Sequence, residues 1–293
     1  MDRGKTRRQK RNLNIFKMPT YVVSMKERPD RWKRFTDQPA IKAIKGLKRT
    51  AAVNGKKLNY RTDKRISIRT RLNIFRNYRR SHHEMATLGA VGCSLSHIQA
   101  WKQFLKSGAN VALILEDDAI ITESMLNMVN ETSATLPSGW GIWVLGCYRP
   151  NLVYEHLPTK PWNRVYGFTA SHSYIITRDA AKQLLEDALP VETHIDHYIC
   201  SAAVLKDILI VQNPDVHIEF FQKEKVANSA TTTVDSNTSQ HKKSGCPTCN
   251  IPDDHSQLYR GYTRKGARGM RVKGIINGEQ DKRLLTLKSG KKK

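Results

Sequence analysis

The sequence predicts an α/β protein with an open, mainly parallel sheet flanked by helices and with flexible basic tails. Three observations support this class. Short apolar runs alternate with amphipathic helical segments, as they do in α/β proteins, in which helices cover the faces of the sheet. One apolar run, Val111 to Leu115, leads directly into Glu116, Asp117 and Asp118. The net charge is uneven, at +21 over residues 1–80, −6 over 81–225 and +9 over 226–293.

The charge pattern predicts three segments. We expect a basic tail over residues 1–18, a folded domain over 19–225, and a polar, basic and mostly disordered tail over 226–293. Tails of this charge favour an anionic partner. No apolar run has the roughly 20 residues of a membrane span, and no signal-peptide core follows the N-terminus. We therefore expect a soluble, cytoplasmic protein, either free or peripheral to a membrane.

The first half of the domain begins with a strand. Thr20 to Met25 is rich in β-formers, and a turn bearing Arg28 and Arg31 follows, with Asp30 expected to cap the next helix. This is the layout of a phosphate-facing loop, although such arginines are also common surface residues. A second short strand is expected at 51–55. Residues 56–84 mix arginines with apolar side chains, which fits a basic excursion over a cleft or a nucleic-acid surface; we favour the excursion.

The second half alternates in the same way. We expect a helix capped by Ser94 or Ser96 and ending near Gly108, and a helix capped by Thr122. Further strands are predicted at 140–146, 168–177 and 208–212, and further helices at 179–189 and from 193 onward.

The acidic triplet is the first candidate site. A buried strand of a parallel sheet would deliver it to the carboxyl edge, where open α/β sheets bind ligands. Three adjacent carboxylates repel one another, and a hard cation such as Mn²⁺ or Mg²⁺ would neutralise them. An acidic surface loop after a core strand is the alternative explanation.

Four blocks of the sequence occur in an order that is typical of one family. They are Tyr21-Val-Val-Ser-Met-Lys-Glu-Arg28-Pro-Asp30-Arg31, Ala52-Val-Asn54-Gly55, Gly89-Ala-Val-Gly92-Cys93-Ser94-Leu-Ser96-His97, and Leu113-Ile-Leu-Glu116-Asp117-Asp118. The chain thereby resembles glycosyltransferase family 25 over roughly residues 19–225. The resemblance implies a GT-A type fold with a nucleotide-binding sheet, and a UDP-sugar donor held by Mn²⁺ or Mg²⁺.

The resemblance also implies roles for individual residues. Asp118 would bind the metal directly, with Asp117 as a further ligand, and Glu116 and Asp117 would face the metal, the ribose or the base. The remaining cofactor-binding candidates are Val23, Ser24 and Arg28 along the nucleotide, and Ser96 near the cleft. His97 is a candidate for a catalytic role there, against a buried structural histidine.

Family members are expected to invert the anomeric centre, which requires a base for the acceptor hydroxyl. Asp196 is the candidate base, with helix capping as the alternative, and His217 is a candidate late metal ligand. The resemblance implies transfer of a hexose, galactose favoured, from a UDP-hexose to a hydroxyl of a glycan or of hydroxylysine in a protein.

Two alternatives remain from the residues alone. The basic flanks would also suit a nucleic-acid-binding protein built on an inactive transferase scaffold. In the C-terminal tail, His241, Cys246, Cys249 and His255 have a spacing that either binds zinc or leaves two free thiols.

Overall fold

The computed structural model describes residues 13–76, 83–148 and 152–220. The described residues form two compact units. The larger comprises 13–53, 95–148, 152–188 and 195–220, and the smaller comprises 54–76, 83–94 and 189–194. The C-terminal tail and its cysteine pair lie outside the described residues.

An eight-stranded sheet forms the centre of the larger unit. Its strands are β1 (Thr20–Ser24), β2 (Leu47–Ala51), β3 (Val111–Glu116), β5 (Trp140–Gly146), β6 (Val153–His156), β7 (Asn163–Gly167), β8 (Ser173–Thr177) and β9 (Leu209–Gln212). They lie in the order β2-β1-β3-β8-β5-β9-β7-β6. A separate two-stranded sheet joins β4 (Ala119–Ile120) to β10 (Glu219–Phe220).

The sheet is mixed, so the prediction of a mainly parallel sheet is wrong. The pairs β1/β2, β1/β3 and β5/β9 are parallel. The pairs β3/β8, β5/β8, β7/β9 and β6/β7 are antiparallel. β8 runs between β3 and β5 in the opposite direction. The sequence does not reveal this direction, because a buried strand shows the same apolar run whichever way it points.

Helices flank the strands along the chain. They are α1 (Pro29–Thr36), α2 (Pro39–Lys42), α3 (Ile68–Arg76), α4 (Leu88–Lys106), α5 (Glu123–Ser133), α6 (Arg178–Glu186) and α7 (Ile195–Leu205). None of these helices has the length and apolar character needed to cross a bilayer.

The starts of three helices test the predicted N-caps, of which one is confirmed and two are wrong. Thr122 caps α5 as predicted, since its hydroxyl accepts from the N–H of Met125 at 3.2 Å. Asp30 does not cap α1: it lies in the first turn, after Pro29, and Arg28 is the residue at the cap. Ser94 and Ser96 lie inside α4, which begins at Leu88.

A core cluster of the larger unit packs on one face of the sheet, with Trp143 and Trp162 in edge-to-face contact at a centroid distance of 5.0 Å. Residues 13–18, which the sequence assigns to the basic tail, belong to this core. Ile15 and Met18 are buried, and the N–H of Ile15 donates to Asn130 Oδ1 at 2.8 Å. The folded part therefore begins before residue 19.

The smaller unit contains a 3-10 turn at Gly55–Lys57 and the helix α3. Bridges between Ile66 and Val191 and between Glu84 and Thr193 hold its separate segments together. Within residues 56–84, where the sequence favours a basic excursion over a cleft, Ile68–Arg76 form the helix α3.

Candidate functional site

The acidic triplet lies at the carboxyl end of β3, as the sequence predicts. Glu116 is the last residue of the strand, and Asp117 and Asp118 form the turn that leads into β4. The N–H of Glu116 donates to the carbonyl of His172 at 2.9 Å, and that of Asp117 donates to the carbonyl of Val23 at 3.2 Å. Both neighbouring segments thus fix the backbone of the acids.

Arg31 of α1 places a positive charge between two of the acids. Its Nη2 atom contacts Asp117 Oδ1 and lies 3.0 Å from Asp118 Oδ2. The side chains are nearly buried, with exposed fractions of 8% for Arg31, 5% for Asp117 and 14% for Asp118. Charges removed from water in this way need their partner, because a lone buried charge is strongly destabilising.

The three carboxyl groups differ in their affinity for protons. Burial raises the pKa of Asp118 to about 7, and the charge of Glu116 adds to the rise while Arg31 opposes it. Burial likewise raises the pKa of Asp117, again opposed by Arg31. Burial also disfavours the charge of Glu116, but the hydrogen bond from His97 and nearby positive charge, including that of Arg31, outweigh it and lower the pKa. Glu116 therefore favours its charged form more than an ordinary glutamate does, whereas both aspartates favour theirs less than an ordinary aspartate does.

His97 is held in a buried hydrogen-bond network beside Glu116. Its Nδ1 lies 2.9 Å from the hydroxyl of Tyr174, and its Nε2 lies 3.4 Å from Glu116 Oε1. The indole N–H of Trp101 donates to the same hydroxyl at 2.8 Å. If the tyrosine proton goes to Nδ1, the proton on Nε2 points to Glu116. This arrangement lets His97 orient a carboxylate, and its full burial does not suit direct contact with a substrate.

The end of β1 and the turn after it contribute the predicted nucleotide-side residues. The carbonyl of Val23 is occupied by Asp117, and the buried Ser24 side chain lies close enough to Asp117 to favour its charged form and lower its pKa, against the larger effect of burial. Arg28 forms a bidentate contact with Asp30, with Nη2 2.6 Å from Oδ2. These residues lie on the same edge of the sheet as the triplet.

Asp196 lies in the first turn of α7 and holds a loop. Its Oδ2 accepts from the N–H of Ala170 at 2.9 Å, and its Oδ1 accepts from the N–H of His197 at 2.8 Å. Ala170 has φ of 63°, a left-handed conformation that costs energy for a residue with a Cβ. The same loop continues to His172, whose carbonyl accepts from Glu116. Asp196 is thus linked to the acidic edge through the backbone.

Two predicted site residues have other partners. The hydroxyl of Ser96 is buried and accepts from the N–H of Val53 at 2.8 Å, so it ties α4 to the segment after β2. Nε2 of His217 lies 3.3 Å from Glu219 Oε1. Phe220 pairs with Ala119 in an antiparallel register, so the chain moves away from Asp118 as it is followed back from Phe220 to His217.

Sequence reasoning missed two residues of the site. The sequence places Arg31 only in a basic turn, and nothing in its spacing reveals a pairing with Asp117 and Asp118, which follow 86 and 87 residues later. His172 is buried, which lowers the pKa of its imidazole, and Nε2 donates to the carbonyl of Ile218 at 2.6 Å. A Cβ on Gly146 would collide with that imidazole, so the glycine at the end of β5 makes room for it.

The donor set fits a hard divalent cation. Oδ1 of Asp118 is buried and has no hydrogen-bond partner among the described residues. Carboxylate oxygens are the ligands that Mn²⁺ and Mg²⁺ prefer, and Asp117 and Glu116 bring further ones beside it. A cation there would share Asp117 and Asp118 with Arg31.

The fold and the site define an α/β protein that gathers acidic side chains at one edge of a mixed sheet. A family model described as glycosyltransferase family 25 (LPS biosynthesis protein) matches residues 17–199, well over half of the chain. The chain belongs to glycosyltransferase family 25, which supports a glycosyltransferase role.

Individual proteins give partial similarity. A protein of Drosophila melanogaster named glycosyltransferase 25 family member is 31% identical over 101 residues, which is 33% of this chain and 15% of that protein. Among solved structures, the inositol-1-phosphate CTP transferase from T. maritima is 11% identical with a TM-score of 0.38, covering 78% of this chain and 98% of that one. A197 from STIV is 11% identical with a TM-score of 0.32, covering 72% and 97%.

Proposed function

We propose that this protein is a metal-dependent, inverting glycosyltransferase. It transfers a hexose, galactose favoured, from a UDP-sugar to a hydroxyl of a glycan or of hydroxylysine. The observation that carries the proposal is the buried Oδ1 of Asp118, which no group in the described part of the chain hydrogen-bonds. It lies next to Asp117 and Glu116 at the carboxyl edge, in a chain of this family.

Asp118 and Asp117 are the residues that would hold Mn²⁺ or Mg²⁺. Such an ion supplies positive charge to the diphosphate as UDP departs. Arg31 contacts both acids, so its single positive charge partly offsets theirs before the donor binds and lowers their attraction for a cation. His217 remains a candidate for a further ligand, although its contact with Glu219 and its register favour a structural role.

The nucleotide would lie along the end of β1. Val23 and Ser24 line that edge, and Arg28 brings a guanidinium that suits a phosphate. Glu116 is the proposed acceptor of hydrogen bonds from the ribose or the base, and its depressed pKa keeps it ionised for that task. Ser96 supports this edge indirectly, through Val53.

His97 acts as a positioning residue in this proposal. It holds Glu116 on one side and Tyr174 on the other, so that the carboxylate keeps one orientation. Asp196 remains the proposed source of the base for the acceptor hydroxyl, since each oxygen retains a second lone pair. Its two backbone hydrogen bonds favour an anchoring role for the loop at Ala170, and the two roles differ in their pH dependence.

A donor screen tests the proposal. The full chain is incubated with UDP-galactose, UDP-glucose or UDP-N-acetylglucosamine, in Mn²⁺ or in EDTA, and UDP release is measured. We expect release in Mn²⁺ that falls by more than about 100-fold in Asp118→Ala, whereas Asp179→Ala, an exposed acid on α6, keeps it. Release that is equal in EDTA, or equal in Asp118→Ala, contradicts metal-dependent transfer at this site.

A further inference from the structure

The helix α3 has the reverse of the usual arrangement of a surface helix, with polar residues inward and apolar residues outward. Its inward positions are polar, with Thr70 and Asn73 buried. Its outward positions are apolar, with exposed fractions of 74% for Ile68, 45% for Leu72 and 64% for Phe75. These three residues recur at i, i+4 and i+7 and so form one stripe along the helix.

Hydrogen bonds from the polar face fix this orientation. Thr70 donates to the carbonyl of Val191 at 3.3 Å, and Asn73 Nδ2 donates to the carbonyl of Met85 at 3.2 Å. Turning the apolar stripe inward would break these bonds and leave buried polar groups without partners, which is costly. Packing within the unit therefore keeps the stripe outward without burying it.

Positive charge surrounds the stripe. Residues 54–76 contain eight lysines and arginines and a single acid, Asp63, which Arg65 contacts at 2.6 Å. The guanidinium of Arg61 lies over the ring of Phe75 at 5.8 Å, so a cation borders the apolar surface directly.

We propose that α3 docks on the surface of an anionic lipid membrane. Ile68, Leu72 and Phe75 would enter the boundary between headgroups and acyl chains, and the surrounding lysines and arginines would meet the lipid phosphates. Three side chains are too few for a stable protein interface, which takes about 20 residues a side. Aliphatic side chains such as Ile68 and Leu72 cannot stack on bases, so the stripe does not suit a single-stranded nucleic acid.

Vesicle sedimentation with the full-length chain tests the docking. The vesicles contain phosphatidylcholine alone or with about a third phosphatidylserine. The test variant carries Ile68→Ser, Leu72→Ser and Phe75→Ser, and Phe75→Ser alone serves as a milder second variant. The control carries Val204→Ser and Leu205→Ser, two apolar residues that are 65% and 85% exposed on α7. Because both sets are exposed, we expect all variants to fold.

We expect the wild type and the control to bind the anionic vesicles alike, and the triple variant to bind at least about tenfold more weakly, with Phe75→Ser between them. The basic tails are the same in every variant, so a difference reports on α3. Equal binding of the triple variant and the wild type overturns the proposal. Failure of the wild type to sediment with either kind of vesicle overturns it as well. Loss of RNA binding in the triple variant, with vesicle binding unchanged, would assign the stripe to nucleic acid instead.

Discussion

Replacement of Arg31 by Gln tests whether an internal cation holds the acidic edge together. The change leaves Asp117 and Asp118 buried without their shared partner. Breaking a buried ion pair from one side costs about 3–5 kcal/mol of unfolding free energy. Lys33→Gln on the same helix is the matched control, because the pair of Lys33 with Asp37 is exposed and contributes at most about 1 kcal/mol.

The loss in Arg31→Gln should depend on pH. With Arg31 present, Asp118 titrates with a pKa of about 7 and stays ionised above it. Without the guanidinium, the pKa rises further and Asp118 keeps its proton in the folded state. The variant therefore continues to lose stability above pH 7, by up to about 1.4 kcal/mol per pH unit, while the contribution of Asp118 in the wild type no longer changes.

Urea unfolding followed by tryptophan fluorescence, in EDTA, measures both quantities. A loss no larger than that of Lys33→Gln, or a loss equal on both sides of pH 7, would refute the reasoning. Repeating the measurement with Mn²⁺ adds a second readout. We expect Mn²⁺ to stabilise Arg31→Gln more than the wild type, because the ion no longer competes with the guanidinium for the same oxygens.

Three further predictions concern the same edge. In metal-free protein, we expect Asp118 to lower stability as pH rises from 3.8, its ordinary pKa, to about 7, because only the folded state keeps the proton; in pH-dependent urea unfolding, Asp118→Asn should remove this contribution and leave the smaller slope to which Asp117 contributes. Tyr174→Phe removes the hydroxyl that holds His97 beside Glu116 and should weaken UDP binding in Mn²⁺, measured by calorimetry, by about 10-fold, whereas unchanged affinity would contradict a role for Glu116 in holding the ribose or the base. Asp196→Asn should cost about 1–3 kcal/mol of stability, measured by urea unfolding, and should remove the acidic limb from the pH profile of UDP release; an unchanged profile would leave Asp196 only its anchoring role at Ala170.

The sequence predicts well those parts of the fold that a local pattern encodes. The strands β1, β3 and β5 are apolar runs flanked by polar turns, and Thr122 caps α5 because a short hydroxyl side chain satisfies an unpaired N–H. The position of the acids follows from the same logic, since a residue that ends a buried strand must lie at an edge of the sheet.

What the sequence misses depends on distant partners. The direction of β8 is set by its neighbours β3 and β5 and leaves no mark in its own residues. The sequence predicts a helix that begins at Ser94 or Ser96, yet α4 begins at Leu88 and runs through Gly89 and Gly92, which shows how packing overrides helix propensity. Arg31 joins the site because α1 packs where it does, and spacing along the chain cannot show that.

The reversed strand β8 has a consequence for how this enzyme family could diversify. In a fully parallel sheet, the carboxyl edge receives only loops that leave strands. Here the loop from Phe168 to His172 enters β8 at that same edge, beside the loops that leave β3 and β5. The outer part of this loop could therefore vary in length and chemistry to suit a new acceptor. The hydrogen bond from Ala170 to Asp196 would still anchor the loop, and the sheet beneath would stay unaltered.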